Sequence, residues 1–252
     1  MYGLSIITIN RNNANGLRHT MESVYTQRYT EFEYIVIDGG STDGSIGVLD
    51  IQSSRFEDQG RQVQIISEPD TGIYNAMNKG LKLSTGEYCL FLNSGDCLKD
   101  EYVLEKVLPW LNDADVYYAD AILEQGEGRT LKRTYPDELT LHFFYNDSLC
   151  HQTTFYKREL LQQVGGYNET YQLIADWVMN VQLFRKKNLF KHIPIEVACY
   201  DMQGMTSGSV GLKKCLVERE RYYTENGLRY IHHWMWIQRK WNNLLCGMFF
   251  GR

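Results

Sequence analysis

A chain of 252 residues, 43% apolar and with only 4 prolines, is long enough to bury a core and is not a disordered segment. Its formal charge of −5, from 31 acidic against 26 basic side chains, sets up no global field for nucleic acid, so no nucleic-acid partner is expected. An anionic small molecule is still admissible, because local backbone donors and bound cations decide such contacts.

The first predicted element is a β-branched strand over residues 4–9, ending at the polar turn Asn10-Arg11-Asn12-Asn13. A helix over 16–27 follows, with Leu17, Met21 and Val24 at helical spacing. Residues 34–37 form a second strand, closed by Asp38-Gly39-Gly40-Ser41-Thr42-Asp43-Gly44. A third strand over 63–66 leads to a helix near 72–83, and a fourth over 88–92 ends at Asn93-Ser94-Gly95-Asp96 before a helix near 102–111. Alternating strands and amphipathic helices imply right-handed crossovers and a largely parallel sheet covered on both faces. Beyond Asp115 the pattern changes to a hairpin over 116–121 and 130–134, a strand over 151–156, a helix from Arg158, a helix striped by Trp177, Val178, Val181 and Phe184, and a strand over 193–199. From Leu212 the tail reads as helical, with Trp234, Trp236, Trp241, Phe249 and Phe250 interleaved with Arg239, Lys240 and Arg252. That mixture suits a bilayer headgroup boundary, and equally a helix packed on its own domain or on a second copy in a homodimer.

Ligands of open α/β sheets bind beyond the carboxyl ends of the strands, where the polar residues of this chain collect. Asp38, at a strand tip, is suited to accept a hydrogen bond from a nucleotide base, while Ser41, Thr42 and Asp43 suit the cap of the next helix. Asp96 is suited to a Mg²⁺ or Mn²⁺ ion that neutralises a diphosphate. No G-x-G-x-x-G follows the first strand, which disfavours a nicotinamide enzyme, and no glycine-rich, lysine-containing triphosphate loop favours a nucleotidyltransferase.

Thr8-Ile9-Asn10-Arg11, Ile37–Ser45, Ser67–Gly80 and Phe91–Asp96, in that order, resemble the GT-A-fold glycosyltransferases of family 2, especially the branch of colanic acid and other surface-polysaccharide transferases. The resemblance spans about residues 1–200. It implies a Rossmann-like α/β domain over 1–205, with a nucleotide-binding half (1–115) and an acceptor half (116–205), followed by a helical extension over 206–252. It implies that Thr8 and Asp38 hold the uracil and ribose of a UDP-type donor with Asn10 and Arg11 nearby. Asp70, Asn75, Asn78 and Asn93 then border the nucleotide and donor sugar, and Asp96 is the last acid of a D-x-D-type metal motif. Many relatives carry acids where this chain has Asn93 and Gly95, so less protein charge is left for the cation. Gly165–Glu169 and Ile174–Trp177 also resemble family segments, which makes Asp176 the general base of an inverting transfer, although Ala175 stands where relatives often have glutamate. His151 and Gln152 match the acceptor side, and Thr206 and Ser207 fall in a loop that in relatives closes over the diphosphate.

The expected activity is therefore transfer of a sugar from a nucleotide-diphosphate donor to a glycan or polyprenyl-linked acceptor, in surface-polysaccharide or cell-envelope synthesis. The alternative, suggested by the missing acids at 93, 95 and 175, is a non-catalytic subunit that binds nucleotide sugar. The six cysteines (89, 97, 150, 199, 215 and 246) form no C-x-x-C pair, and the N-terminus shows no signal peptide. No run reaches the ~18–20 apolar residues of a spanning helix. A cytoplasmic protein is expected, with peripheral contact on the inner membrane face as an option for its tail.

Overall fold

A computed structural model describes residues 3–124, 129–201 and 208–228. The chain divides into two compact units, Met1–Gly204 and Met205–Arg252. The calls on Thr206, Ser207 and the tail aromatics from Trp234 onward lie outside the described residues.

The first unit begins with β1 (Leu4–Asn10), buried along its whole length, as its β-branched composition requires of a central strand. Helix α1 (Ala14–Tyr25) is capped by the Asn13 side chain, which accepts from the Gly16 N–H at 3.1 Å. Strand β2 (Glu33–Asp38), α2 (Ser45–Asp58), β3 (Val63–Ser67), α3 (Ile73–Leu83) and β4 (Tyr88–Phe91) complete the alternating half. The spatial order β3-β2-β1-β4 is parallel throughout, with Asn10 opposite Asp38 and Asp38 opposite Ser67. Three strand ends are thereby brought level.

The second half comprises β5 (Cys97–Leu98), α4 (Val103–Val107), β6 (Val116–Glu124), β7 (Thr130–Arg133), α5 (Leu141–Asn146), β8 (Thr154–Lys157), α6 (Arg158–Gln163), α7 (Ala175–Arg185) and β9 (Phe190–Asp201). It extends the sheet as β4-β8-β6-β9-β5, with β7 on β6 as the expected hairpin partner. Here the directions mix: β8 is antiparallel to both β4 and β6, β9 is parallel to β6, and β5 is antiparallel to β9. The result is a mixed α/β fold with a central sheet flanked by helices.

Two predicted elements differ. The strand expected from His151 begins only at Thr154, because His151–Thr153 forms a 3₁₀ turn. The Cys150 carbonyl accepts from the Thr153 N–H at 3.1 Å and the Thr154 hydroxyl at 2.7 Å, which folds the backbone there. The helix expected to reach Leu111 stops at Val107 and continues as a 3₁₀ turn over Leu108–Trp110. Leu108 keeps α backbone angles, but Pro109 has no N–H to continue the i→i−4 ladder and its ring crowds the preceding turn, so the α-helix gives way to the tighter turn.

Strand alternation sends Ile6, Tyr34, Val36 and Leu90 into a core with Leu17, Met21 and Val24 of α1 and Val48, Leu49 and Phe56 of α2. Helix α3 covers the opposite face. Its Gly80 lies so close to β1 that an added Cβ would stand 2.4 Å from Ile7 Cγ2. The second unit contains α8 (Gly208–Glu225), with an i,i+4 ion pair between Arg221 and Glu225. Among the described residues no helix is long and apolar enough to cross a membrane.

Gly80→Val should cost about 1–3 kcal/mol through overpacking against Ile7. Thermal unfolding measures it, and an unchanged melting temperature would contradict the close approach of α3 to β1.

Candidate active site

The level strand ends are fastened by Asp38, which is fully buried. Its Oδ1 accepts from Asn10 Nδ2 at 2.8 Å and Ser41 Oγ at 2.6 Å, and its Oδ2 from Ser41 N at 2.9 Å and Ser67 Oγ at 2.8 Å. Burial pushes the Asp38 carboxyl up, but these hydrogen bonds outweigh it and hold it below the ordinary carboxylate value. A carboxylate has about four acceptor sites. The four donors fill them, so Asp38 organises the tips of β1, β2 and β3 from within the chain. Asn10, 3% exposed, keeps its Oδ1 buried with no partner among the described residues.

The neighbouring expected donor-side residues sort into three kinds. Thr8 is fully buried, its hydroxyl paired with Tyr34 Oη at 3.1 Å inside the sheet. Arg11 is exposed and reaches Asp70 Oδ1 at 3.5 Å. Gly39 makes room there, since a Cβ on it would lie 2.1 Å from Asp70 Oδ2. Asn78 is a clasp: its Nδ2 donates to the Tyr167 carbonyl at 2.9 Å and Glu169 Oε1 at 2.8 Å, and its Oδ1 accepts from Tyr167 N at 2.8 Å. Asn75 donates to the other Glu169 oxygen at 3.0 Å. The N-cap of α2 is Gly44, with Ser41 turned to Asp38 and Thr42 to Asn12, while Asp43 accepts from Ser45 N at 3.0 Å at the start of α2 and from Ala14 N at 2.9 Å at the start of α1.

The remaining candidates meet around one turn. His151 Nε2 lies 2.9 Å from Asn93 Nδ2, and His151 Nδ1 lies 3.4 Å from Asp176 Oδ2. The next residue, Gln152, donates to Asp96 Oδ2 at 3.0 Å. Asp176 sits in the first turn of α7 and also accepts from Tyr74 Oη at 3.1 Å and Trp177 N at 2.8 Å. Burial works to raise the Asp176 carboxyl; the His151 contacts, the Trp177 amide and the Tyr74 hydroxyl outweigh it, so it is held below its ordinary value. Asp176 stays ionised at neutral pH, with a fifth of its side chain accessible.

The loop carrying Asp96 is pinned by Thr20 of α1, whose hydroxyl donates to the Asp96 carbonyl at 2.7 Å and accepts from Gly95 N at 3.0 Å. No cluster of three metal-ligating side chains occurs among the described residues. Asp96 offers one carboxylate beside the neutral Asn93, Ser94 and Gln152. That set fits a hard cation bound through one carboxylate and the donor's own phosphates, the usual habit of Mg²⁺. Thr20, Tyr74, Ser67 and Glu169 escaped sequence reasoning. Tyr74 lies on the apolar side of a helix, and the partners of Thr20 and Glu169 are far away in sequence.

Residues 5–187 match the family described as Glycosyl transferase family 2. The chain belongs to this family. It is 29% identical over 245 residues to a PGL/p-HBAD biosynthesis glycosyltransferase of Mycobacterium bovis, covering 96% of this chain and 91% of the relative. An uncharacterized glycosyltransferase of Mycobacterium tuberculosis is 27% identical, over 97% of both chains. Among solved structures, S. aureus TarS 1-349 in complex with UDP superposes with a TM-score of 0.66 at 20% identity, over 80% of this chain and 60% of that one. The chain thus spans about three-fifths of that TarS fragment. The mannosyltransferase PcManGT from Pyrobaculum calidifontis, in complex with GDP-Man and Mn²⁺, gives 0.60 at 19% identity, over 78% and 56%.

Asp38→Asn should lower stability at pH 7 by about 1–3 kcal/mol, because an amide N–H₂ would face existing donors. The native carboxyl is depressed on folding, so its contribution is present above the unfolded value of about 3.9 and fades as pH falls through the folded value. Urea unfolding should show the gap between variant and native protein narrowing below about pH 3.9. An equal gap at both pH values would contradict the charged hub.

Proposed function

We propose that this glycosyltransferase works by inversion, moving a sugar from a UDP-linked donor to an acceptor hydroxyl with Asp176 as general base. The observation that carries the reading is the turn in which neighbours His151 and Gln152 contact Asp176 and Asp96 respectively. It gathers an ionised base and a cation-binding acid at the end of the sheet where the donor half presents its strand tips.

In the proposed step the acceptor oxygen attacks the anomeric carbon from the face opposite the diphosphate. Its proton passes to Asp176 as the new glycosidic bond forms. The bond from the anomeric carbon to the β-phosphate oxygen breaks, and its electron pair leaves with the nucleotide. A divalent cation held by Asp96 would neutralise charge on the diphosphate. The orphan Asn10 Oδ1 and exposed Arg11 suit the uridine end, and Asp38 keeps Asn10 in place. Asn75, Asn78 and Glu169 hold the segment before α7, and through it the base.

A UDP donor also takes support from the TarS complexes with UDP and UDP-GlcNAc. A role in envelope glycan assembly at the inner face of a membrane belongs to the same reading, and the mycobacterial relative is likewise named for a biosynthetic glycosyl transfer, that of PGL/p-HBAD. The last 24 residues contain four basic and no acidic side chains, which suits an anionic bilayer.

Asp176→Asn should lower kcat by about 10²–10⁴-fold while UDP affinity is retained. Loss of UDP binding in step with activity would move Asp176 to the donor subsite. Calorimetry should show that Mn²⁺ strengthens UDP binding to the native protein but not to Asp96→Ala; an identical metal response in both would remove Asp96 from the cation. Removing residues 229–252 should abolish co-sedimentation with anionic liposomes, and equal pelleting of both forms would refute the membrane role.

A further inference from the structure

We propose that His151 is a positioning residue that holds a proton against Asp176 Oδ2, and that the neutral Asn93 selects the imidazole tautomer needed for that task. The inference rests on Asp176 being the base and adds how this chain prepares it.

The Asn93 amide nitrogen carries only hydrogens to offer and lies 2.9 Å from His151 Nε2. In that orientation Nε2 accepts, which leaves the ring proton on Nδ1, facing Asp176 Oδ2 at 3.4 Å. In this orientation Asn93 Oδ1 is buried without a partner among the described residues. Turning the amide over would pair Oδ1 with a protonated Nε2. With a bare Nδ1 that ring would set a lone pair against a carboxylate; with a protonated Nδ1 it would be a cation tied to the base. A carboxylate at position 93 would favour that cation outright and hold the base in an ion pair. An amide at position 93 brings no charge of its own and leaves Nδ1 as the donor that orients Asp176.

The ring is held from behind. Cys150, just before it, donates its N–H to Tyr135 Oη at 3.0 Å, and its carbonyl receives Thr153 and Thr154. The other titratable groups facing Asp176 are Tyr74 on α3, Cys150, Tyr156 on β8, and Tyr167 before α7. Burial pushes all four upward, so they stay neutral where the base must work.

Three readouts test this on the full chain. Histidine ¹⁵N NMR of the native protein should show His151 protonated at Nδ1 and bare at Nε2; Asn93→Asp should convert it to the doubly protonated ring. His151→Ala should lower kcat roughly 10–100-fold at unchanged UDP affinity, as expected for a misplaced catalytic group. Removing the imidazole removes the largest of the contacts that hold the Asp176 carboxyl down, so the acid limb of kcat should move to higher pH. His151→Asn, whose amide N–H₂ can stand in for Nδ1–H, should restore part of both rate and profile, and it keeps the test valid if the alanine variant fails to fold. An unmoved acid limb in both variants, or a native ring protonated at Nε2 alone, overturns the proposal. Full transfer by Asp176→Asn would instead sink the base assignment, and the NMR result would still judge the tautomer.

Discussion

The site depends on a tight turn of three residues. His151–Thr153 curls where a strand was expected, and its first two side chains diverge to Asp176 with Asn93 and to Asp96. Those partners come from separate parts of the chain: the loop after β4, the first turn of α7, and the turn itself. The arrangement is possible because β8 inserts antiparallel between β4 and β6, which brings the turn beside the end of the parallel half. A continuous strand through His151 would alternate the two side chains to opposite faces and could not serve both acids on one side.

Two carboxylates in this region are ionised despite burial, by different means. Asp38 is surrounded by neutral donors from its own loop and from β1 and β3, which makes it rigid and structural. Asp176 receives three donors, one a titratable ring, and keeps part of its surface accessible. It also lies in the first turn of α7, where the helix dipole favours negative charge. The first pattern suits a fixed scaffold. The second suits a group that must change protonation during a reaction cycle.

Much of this was legible in the sequence where local rules apply. The β-branched runs, the helical spacing of Leu17, Met21 and Val24, and the polar strand ends specify the parallel half, because each strand and its covering helix are adjacent in the chain. Asp96 and Asp176 were legible as motif residues. What could not be read was pairing at a distance. Asn78 looked like a nucleotide contact, yet its amide closes on Tyr167 and Glu169, 89 and 91 residues later. Tyr74 entered only as part of the motif Ser67–Gly80; it is buried, and its hydroxyl ends on Asp176, 102 residues away. The turn at His151 was misread because its curvature comes from hydrogen bonds to the Cys150 carbonyl and not from glycine or proline.

The central claim is that the strand tips near Asn10, the loop of Asp96 and the first turn of α7 border one cleft and one reaction. A crystal structure of the protein with UDP and Mn²⁺ tests it most directly. The account predicts uridine against Asn10 and Arg11, the cation between the diphosphate and Asp96, and Asp176 across the sugar subsite from the β-phosphate. Nucleotide bound elsewhere, or Asp176 on the same side as the phosphates, would contradict it.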